Sequence, residues 1–148
     1  MRIAIAADHN GVRLKERLVA WLIAHGHEVD DRGAHSWVEV VDYPPLCADV
    51  GRRVADGRAD LGVVLGGSGQ GEVIACNKIR GVRAGLGHTP FMVEISRGNN
   101  DANVLVLGTK VLSEDEAEEM LALWLATPFK GGRHQHRIDQ ISALEREQ

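Results

Sequence analysis

The chain has 148 residues, 44% of them hydrophobic and 26% charged, which fits one globular domain with a single core and excludes a second full domain. Its formal net charge of -4 lacks the basic excess that non-specific nucleic-acid binding needs, so we expect no nucleic-acid partner. No apolar run approaches the roughly 20 residues of a membrane span, so we expect no membrane partner either.

The first half of the chain predicts three strands and two helices. The strands are expected over 2–8, 27–33 and 61–65, and the last is apolar throughout, as in a strand covered on both faces. Between them, apolar residues recur at helical spacing, and Gly57 ends the second helix. These residues are Leu14, Leu18, Trp21 and Leu22 in the first helix and Leu46, Val50 and Val54 in the second.

The second half continues the alternation. A short helix over 71–79 precedes a strand over 82–86, and Thr89-Pro90 begins a helix that Gly98 ends. A fifth strand is expected over 104–107. Ser113 and Glu116 then have the spacing of a capping box ahead of a helix with Ala117, Met120, Leu121 and Trp124 on one face.

Five alternations of strand and helix predict a three-layer α/β/α fold, in which helices cover both faces of a five-stranded parallel sheet. Ligands of such sheets bind beyond the carboxyl ends of the strands. Polar residues lie at those ends over 8–11, 66–72, 87–89 and 108–110. The functional site is therefore expected at this edge.

The tail follows a break over 127–132 and predicts a last helix with a narrow apolar stripe of Ile138, Ile141 and Leu144. We expect it to belong to the same domain as residues 1–126 and to pack on a partner subunit at a dimer interface. Packing against its own domain is the alternative.

The glycine-rich loop that follows the third strand, "GGSGQGE" over 66–72, does not have the spacing of a dinucleotide or Walker motif. Converging backbone amides can hold an anion, but Glu72 would repel a bound phosphate. The loop therefore suits negative charge that develops on a reacting oxygen, with Glu72 as a base. Taken singly, Glu72 could be an exposed first-turn residue, Ser68 a turn serine and Asp8 the N-cap of the following helix.

Two further features carry weaker signals. The histidines do not form a metal set, because His134 and His136 have no third ligand at a supporting spacing, and we expect no metal. A basic cluster in the tail predicts either an anion site or a solvated helix start. It consists of Lys130, Arg133, His134, His136 and Arg137.

The cellular location is predicted from the N-terminus and the cysteines. Met1 leads into a strand-like segment without the apolar stretch of a secretory signal. Cys47 and Cys76, the only two cysteines, fit buried and reduced thiols. We therefore expect a cytoplasmic protein.

Five motifs in order resemble the type B ribose-5-phosphate isomerase family, which includes the galactose-6-phosphate isomerase subunits. They are "AADHNG" at 6–11, "DYP" at 42–44, "GGSGQGE..ACNKIRGVRAG" at 66–85, "SRGNNDANVLVLGTK" at 96–110 and "GGRHQHR" at 131–137. The resemblance implies aldose-ketose isomerisation through an enediolate, without metal or organic cofactor. It also implies a Rossmann-like parallel sheet and a homodimer or dimer of dimers with active sites shared between subunits.

The resemblance also implies roles for single residues. Glu72 matches the base of the glutamate version of the family, because Ser68 stands where the other version has its cysteine base. Ser68 and the amides of Gly67, Gly69 and Gly71 would stabilise the enediolate, and Asp8 and Tyr43 would contact sugar hydroxyls. The implied phosphate contacts are His9, Arg133 and Arg137, and the further substrate contacts are Asn99, Asn100 and Lys110, the last where many members have arginine.

One departure from the family pattern concerns the substrate. Asn99 stands where the family has the histidine credited with opening the sugar ring, and an amide cannot exchange a proton near neutral pH. Either another group such as His9, His88 or Asp8 opens the ring, or turnover is slow, or the natural substrate has no ring to open. The expected reaction is ribose 5-phosphate to ribulose 5-phosphate, with a non-cyclising tetrose 4-phosphate (erythrose or erythrulose) or a hexose 6-phosphate as alternatives. Of other classes, a catalytically weak sugar-phosphate-binding protein is the rival, and a nucleotide-binding regulatory module is disfavoured.

Overall fold

A computed structural model describes residues 1–148 and confirms the α/β class. The strands are β1 (Arg2–Ala7), β2 (Glu28–Asp31), β3 (Leu61–Gly66), β4 (Ala84–Leu86) and β5 (Val104–Gly108). The helices are α1 (Val12–Ala24), α2 (Tyr43–Ala55), α3 (Gln70–Cys76), α4 (Pro90–Gly98), α5 (Glu114–Ala126) and α6 (Arg133–Arg146).

The five strands form one parallel sheet in the order β2-β1-β3-β5-β4. From β1 the chain moves to β2 on one side, whereas from β3 it moves to β4 and β5 on the other. The strand order therefore reverses between β1 and β3, and an open α/β sheet has its binding crevice at such a point. Asp8 and the glycine loop follow these two strands.

The sheet is covered on both faces, which confirms the three-layer architecture. On one face Ile3 and Ile5 pack in a cluster that includes Trp124 of α5, and on the other Ala4 and Ala6 pack with Val50 of α2. Alternate residues of β1 thus enter different cores, as the period of two in a strand requires. This explains why β1 and β3 are apolar throughout.

Two strands are shorter than predicted. The second ends at Asp31, although the backbone amide of Arg32 still donates to the carbonyl of Ile5 at 2.8 Å. The backbone amide of Arg83, predicted inside the fourth strand, donates to the side chain of Asn103 at 2.8 Å. Side-chain partners of this kind are not visible in the apolar pattern.

The predicted helix starts are confirmed at α4 and α5. Thr89 Oγ1 accepts from the amide of Met92 at 3.1 Å, and both bonds of the Ser113 and Glu116 capping box form. The alternative that Asp8 caps α1 is wrong. Gly11 is the N-cap of α1. The Asp8 carboxylate instead accepts a hydrogen bond from the amide of Asn10 at 2.9 Å, in the turn that precedes the helix.

The tail packs in part on its own chain. Ile138 is buried, and the Glu145 carboxylate accepts from the amide of Gly81 at 3.1 Å. Ile141 and Leu144 of the same stripe are 44% and 58% exposed. Packing on its own domain therefore accounts for one of the three apolar residues, and packing on a partner stays a prediction. None of the helices combines the length and apolarity needed to cross a membrane.

Candidate active site

Glu72 lies in the first turn of α3, where sequence reasoning left open an exposed glutamate. The structure buries it to 4% exposure and places its carboxylate against Gly66 at the end of β3. A Cβ on Gly66 would overlap that carboxylate. The glycine therefore gives the acid its place at the carboxyl edge of the sheet.

The environment of Glu72 raises the pKa of its carboxyl. Burial raises the pKa of its carboxyl above the ordinary value, and the nearby Asp8 carboxylate raises it further. No other side chain hydrogen-bonds the Glu72 carboxylate, so its oxygens are available to a substrate. A raised pKa without a fixed ion pair is typical of a general base.

The segment at the end of β5 holds the glycine loop through backbone hydrogen bonds and close packing. The amides of Thr109 and Lys110 donate to the carbonyls of Gly66 and Gly67, both at 2.8 Å. Gly108 is packed so closely on the loop that a Cβ there would lie 2.7 Å from the carbonyl oxygen of Ser68. Because its carbonyls are held, the loop presents its amides in a fixed geometry.

Asp8 lies beside Glu72 at the end of β1 and is 6% exposed. The amide of Asn10 and, at 3.4 Å, its side-chain Nδ2 donate to the two carboxylate oxygens. His9 points toward the loop before α2, where its Nδ1 accepts from the amide of Val41 at 3.2 Å. The "DHN" motif thus supplies a fixed carboxylate and an imidazole at one edge.

Tyr43 begins α2 and reaches the glycine loop from the neighbouring element. Its hydroxyl lies against Gly71, where a Cβ would overlap it. Gly66 and Gly71 therefore make room for the two side chains, Glu72 and Tyr43, that contact the loop most closely. The structure brings the predicted sugar contact to the predicted base.

Ser68 and Lys110 lie on the outer side of the loop. Ser68 is exposed, and its Oγ accepts from the amide of Gln70 at 3.2 Å. The alkyl chain of Lys110 passes Gly67 and lines a cleft of about 460 Å³ together with Asn10 and Arg13. Glu72 and Asp8 do not line this cleft, which borders the site only through Asn10 and Lys110.

Four predicted site residues lie at the opposite edge of the sheet. Asn100 is near the amino end of β4, since its carbonyl accepts from Arg83 Nε at 2.9 Å. Lys130, in the segment that leads to α6, donates to Asn99 Oδ1 at 3.0 Å. Arg133 and Arg137 follow on α6, exposed and without an ion pair. A single chain does not bring Asn99, Asn100, Arg133 and Arg137 to Glu72.

Sequence reasoning missed a pair of thiols beside the base. Cys47 of α2 and Cys76 of α3 are both fully buried free thiols, as predicted, and they contact each other. The hydrogen bond with Cys76, burial and the nearby Glu72 carboxylate all raise the pKa of the Cys47 thiol. The Cys47 thiol therefore stays protonated. Only the packing of α2 on α3 could have revealed that the two cysteines are neighbours.

Comparison with known proteins gives consistent matches over the whole chain. The family model Ribose/Galactose Isomerase matches residues 3–141. Ribose-5-phosphate isomerase B of Escherichia coli (strain K12) is 40% identical over 144 residues, which are 97% of this chain and 96% of the relative. The protein of that name from Mycobacterium tuberculosis (strain H37Rv) is 37% identical over 147 residues, 99% of this chain and 91% of the relative.

Solved structures match the fold closely. Ribose-5-phosphate isomerase B of Clostridium thermocellum superposes with a TM-score of 0.97 at 40% identity, covering 99% of both chains. The Mycoplasma genitalium protein of that name, with bound ribulose-5-phosphate, has a TM-score of 0.95 at 34% identity, covering 99% of this chain and 97% of that one. Together with the buried glutamate beside a fixed glycine loop, these matches show that the chain belongs to the Ribose/Galactose Isomerase family.

Proposed function

We propose that this protein is an aldose-ketose isomerase that interconverts ribose 5-phosphate and ribulose 5-phosphate. The observation that carries the proposal is the buried carboxylate of Glu72, placed against Gly66 and beside Asp8 at the switch point of the sheet. The Mycoplasma genitalium relative with ribulose-5-phosphate bound supports the substrate class.

Glu72 is the base that moves the carbon-bound proton. On the open-chain aldose its carboxylate takes the proton from C2, and the electron pair of that C–H bond forms the C1–C2 double bond of an enediolate. The same carboxyl then returns the proton to C1, which gives the ketose. A carboxyl whose pKa is raised toward neutrality can perform both transfers.

The loop stabilises the charge that develops on the sugar oxygens. The proposed donors to the enediolate are the amides of Gly67, Gly69 and Gly71 and the Ser68 hydroxyl. The amides of Thr109 and Lys110 hold the loop that carries them before the substrate arrives. Asp8 and Tyr43 hold the sugar hydroxyls, and Asp8 accepts and returns the hydroxyl proton that passes between O2 and O1. Stabilisation by fixed donors of this kind is often the largest part of catalysis.

The phosphate is held by groups from two subunits. His9 and Lys110 lie at the carboxyl edge with Glu72, whereas the tail arginines Arg133 and Arg137 lie at the other edge. We therefore infer a homodimer or dimer of dimers in which the tail and Asn100 of one subunit complete the site of its partner. Arginine suits phosphate binding because its planar guanidinium group can donate two hydrogen bonds to phosphate oxygens.

In this arrangement residues 1–126 carry the catalytic edge, and the tail, 127–148, belongs to the same domain and to the dimer interface. The exposed Ile141 and Leu144 support an interface on α6. The free buried thiols of Cys47 and Cys76 support a cytoplasmic location, where cysteines are kept reduced.

Asn99 favours a second substrate class. Its side chain accepts a hydrogen bond from Lys130 and has no titrating group with which to open a sugar ring. A tetrose 4-phosphate cannot close a furanose ring because its terminal hydroxyl is esterified. A site without a ring-opening acid or base therefore suits erythrose 4-phosphate or erythrulose 4-phosphate, and a hexose 6-phosphate is the remaining alternative.

The deciding experiment assays the purified protein and its Glu72→Gln variant with aldose and ketose phosphates of four to six carbons. We expect turnover by the native protein and a loss of about 10³-fold in kcat for Glu72→Gln, within the range of positioned acid-base catalysis. Activity that survives the substitution would exclude Glu72 as the base. A ligand that raises the Tm of the native protein without being converted would favour the rival, a weak binding protein.

The substrate is decided by Asn99→His. If ring opening limits the rate, this variant turns over ribose 5-phosphate faster than the native protein while its rate with a tetrose phosphate is unchanged. An equal effect on both substrates would remove the ring-opening argument.

A further inference from the structure

His88 occupies a place at the carboxyl edge that the proposed reaction does not use. It follows β4, and its half-buried ring lies beside the glycine loop, where a Cβ on Gly69 would be 3.6 Å from its Nε2. The amide of Gly108 donates to that Nε2 at 3.0 Å. The ring is therefore neutral at Nε2 and carries its proton on Nδ1.

This hydrogen bond takes the place of a backbone hydrogen bond between the ends of β4 and β5. The ladder between β4 and β5 continues as far as the amide of Gly87, which donates to the carbonyl of Val106 at 3.0 Å. Beyond that point the backbone after β4 does not accept the Gly108 amide, and the His88 ring does. The end of β5 is thus fixed by a side chain that can be protonated.

Gly108 also packs directly against the glycine loop. Its Cα faces the carbonyl of Ser68, and the next two amides hold the carbonyls of Gly66 and Gly67. A displacement of Gly108 would therefore move the loop amides and the Gly66 contact of Glu72 together. His88 therefore acts on the glycine loop through Gly108 and through its own contact at Gly69.

We propose that His88 is a positioning residue of the isomerase, whose neutral ring holds the end of β5 and thereby keeps the glycine loop in its catalytic shape. The proposal rests on the proposed function and adds to it a residue outside the reacting set. Protonation of Nε2 turns the acceptor into a second donor that faces the Gly108 amide, so the contact exists only with the neutral ring. Burial lowers the pKa of His88, and no charged side chain contributes to that shift, so the neutral form persists at physiological pH.

The test compares His88→Gln, whose Oε1 can accept from Gly108 without titrating, with His88→Leu, which cannot accept. We expect His88→Leu to lower kcat about 10-fold with little change in KM, because loop donors act on the transition state. We expect His88→Gln to stay within about threefold of the native kcat because its acceptor remains. Equal kcat values for His88→Leu and the native protein, or equal losses in both variants, would overturn the proposal.

A second measurement needs neither substrate nor the leucine variant. In the native protein the NMR amide signal of Gly108 should titrate with a midpoint below the ordinary histidine value of 6.5, and in His88→Gln it should not. A Gly108 signal that is independent of pH in the native protein would overturn the contact. Because this readout does not depend on turnover, it separates failure of the positioning role from failure of the isomerase assignment.

Discussion

The two edges of the sheet differ in how firmly a single chain holds the candidate site residues that lie there. At the carboxyl edge Asp8 and Glu72 are 6% and 4% exposed, and the loop between them is held by backbone hydrogen bonds. At the amino edge Asn100, Arg133 and Arg137 are exposed, and neither arginine has an ion pair. The groups proposed to move protons are thus fixed within a chain, whereas the two arginines proposed to hold the phosphate lie exposed on its surface.

The largest effect is expected where the carboxyl edge is packed most tightly. Gly66→Ala places a methyl group on the Glu72 carboxylate and should displace the base, so kcat should fall on the order of 100-fold, as for a misplaced catalytic group. Gly67→Ala is the matched control in the same loop, because its nearest neighbour would be the flexible Lys110 chain at 3.5 Å. Steady-state kinetics of both variants checks this, and similar losses in both would mean that the whole loop, rather than the Glu72 contact, is sensitive.

A mixture of two inactive variants tests whether one active site takes its carboxyl-edge residues from one subunit and its amino-edge residues from the other. Random exchange between Glu72→Gln and Arg137→Ala dimers gives mixed dimers with one intact site, so about a quarter of the native activity should return. Mixing Glu72→Gln with Asp8→Asn is the control, since both changes lie at the same edge and leave no intact site. No recovery in the first mixture would show that Arg137 serves the site of its own chain or none.

The burial of Glu72 has a cost in stability that depends on pH. Because folding raises its pKa above the ordinary 4.5, the folded state loses stability relative to the unfolded state as pH rises from 4.5 through the folded value. Glu72→Gln should therefore raise the Tm at pH 7.5 by roughly 2–4 °C, and the gain should shrink as pH falls toward 4.5. Calorimetry at several pH values measures it.

The control for this effect is Glu16→Gln on α1, where the glutamate is exposed and removal of its charge should leave the Tm unchanged. A Glu72→Gln variant that is less stable than the native protein at pH 7.5 would contradict an uncompensated buried carboxylate at this edge.

The smallest effect is expected at the amino edge. Lys130→Gln removes the hydrogen bond to Asn99 between two accessible side chains, and the Tm should fall by less than about 3 °C. Lys78→Gln, an exposed lysine without a side-chain partner, gives the baseline for loss of a surface charge. A much larger drop for Lys130→Gln, seen by thermal unfolding, would mean that the amino edge is as firmly built as the carboxyl edge.

Sequence patterns gave the order of the elements and the edge of the sheet that holds the site. Apolar patterns, together with start and stop signals such as Thr89-Pro90 and Gly98, predicted the strands and helices in order. Ser113 and Glu116 were sufficient to predict the start of α5. The burial of Glu72 was not predictable, because a first-turn glutamate is ordinarily exposed. It depends on a missing side chain at Gly66, and a glycine in a sequence does not say which atom occupies the space it leaves.

Contacts between distant segments were also beyond the sequence. The motif at 96–110 and the tail suggested substrate contacts, but only the direction of α4 shows that Asn99 and Asn100 lie far from Glu72 in their own chain. The contact of His88 with Gly108 joins a side chain after β4 to a backbone amide at the end of β5, 20 residues away in the sequence. Polar side chains that replace backbone partners leave no periodic signal.

The position of β5 between β3 and β4 has a consequence for the synthesis of the protein. The strand that supports the glycine loop is made after β4, and β4 pairs only with it. While the chain is synthesised, the loop at 66–72 is made before residues 108–110, whose amides hold its carbonyls. The loop therefore gains these backbone partners only after β5 has paired between β3 and β4.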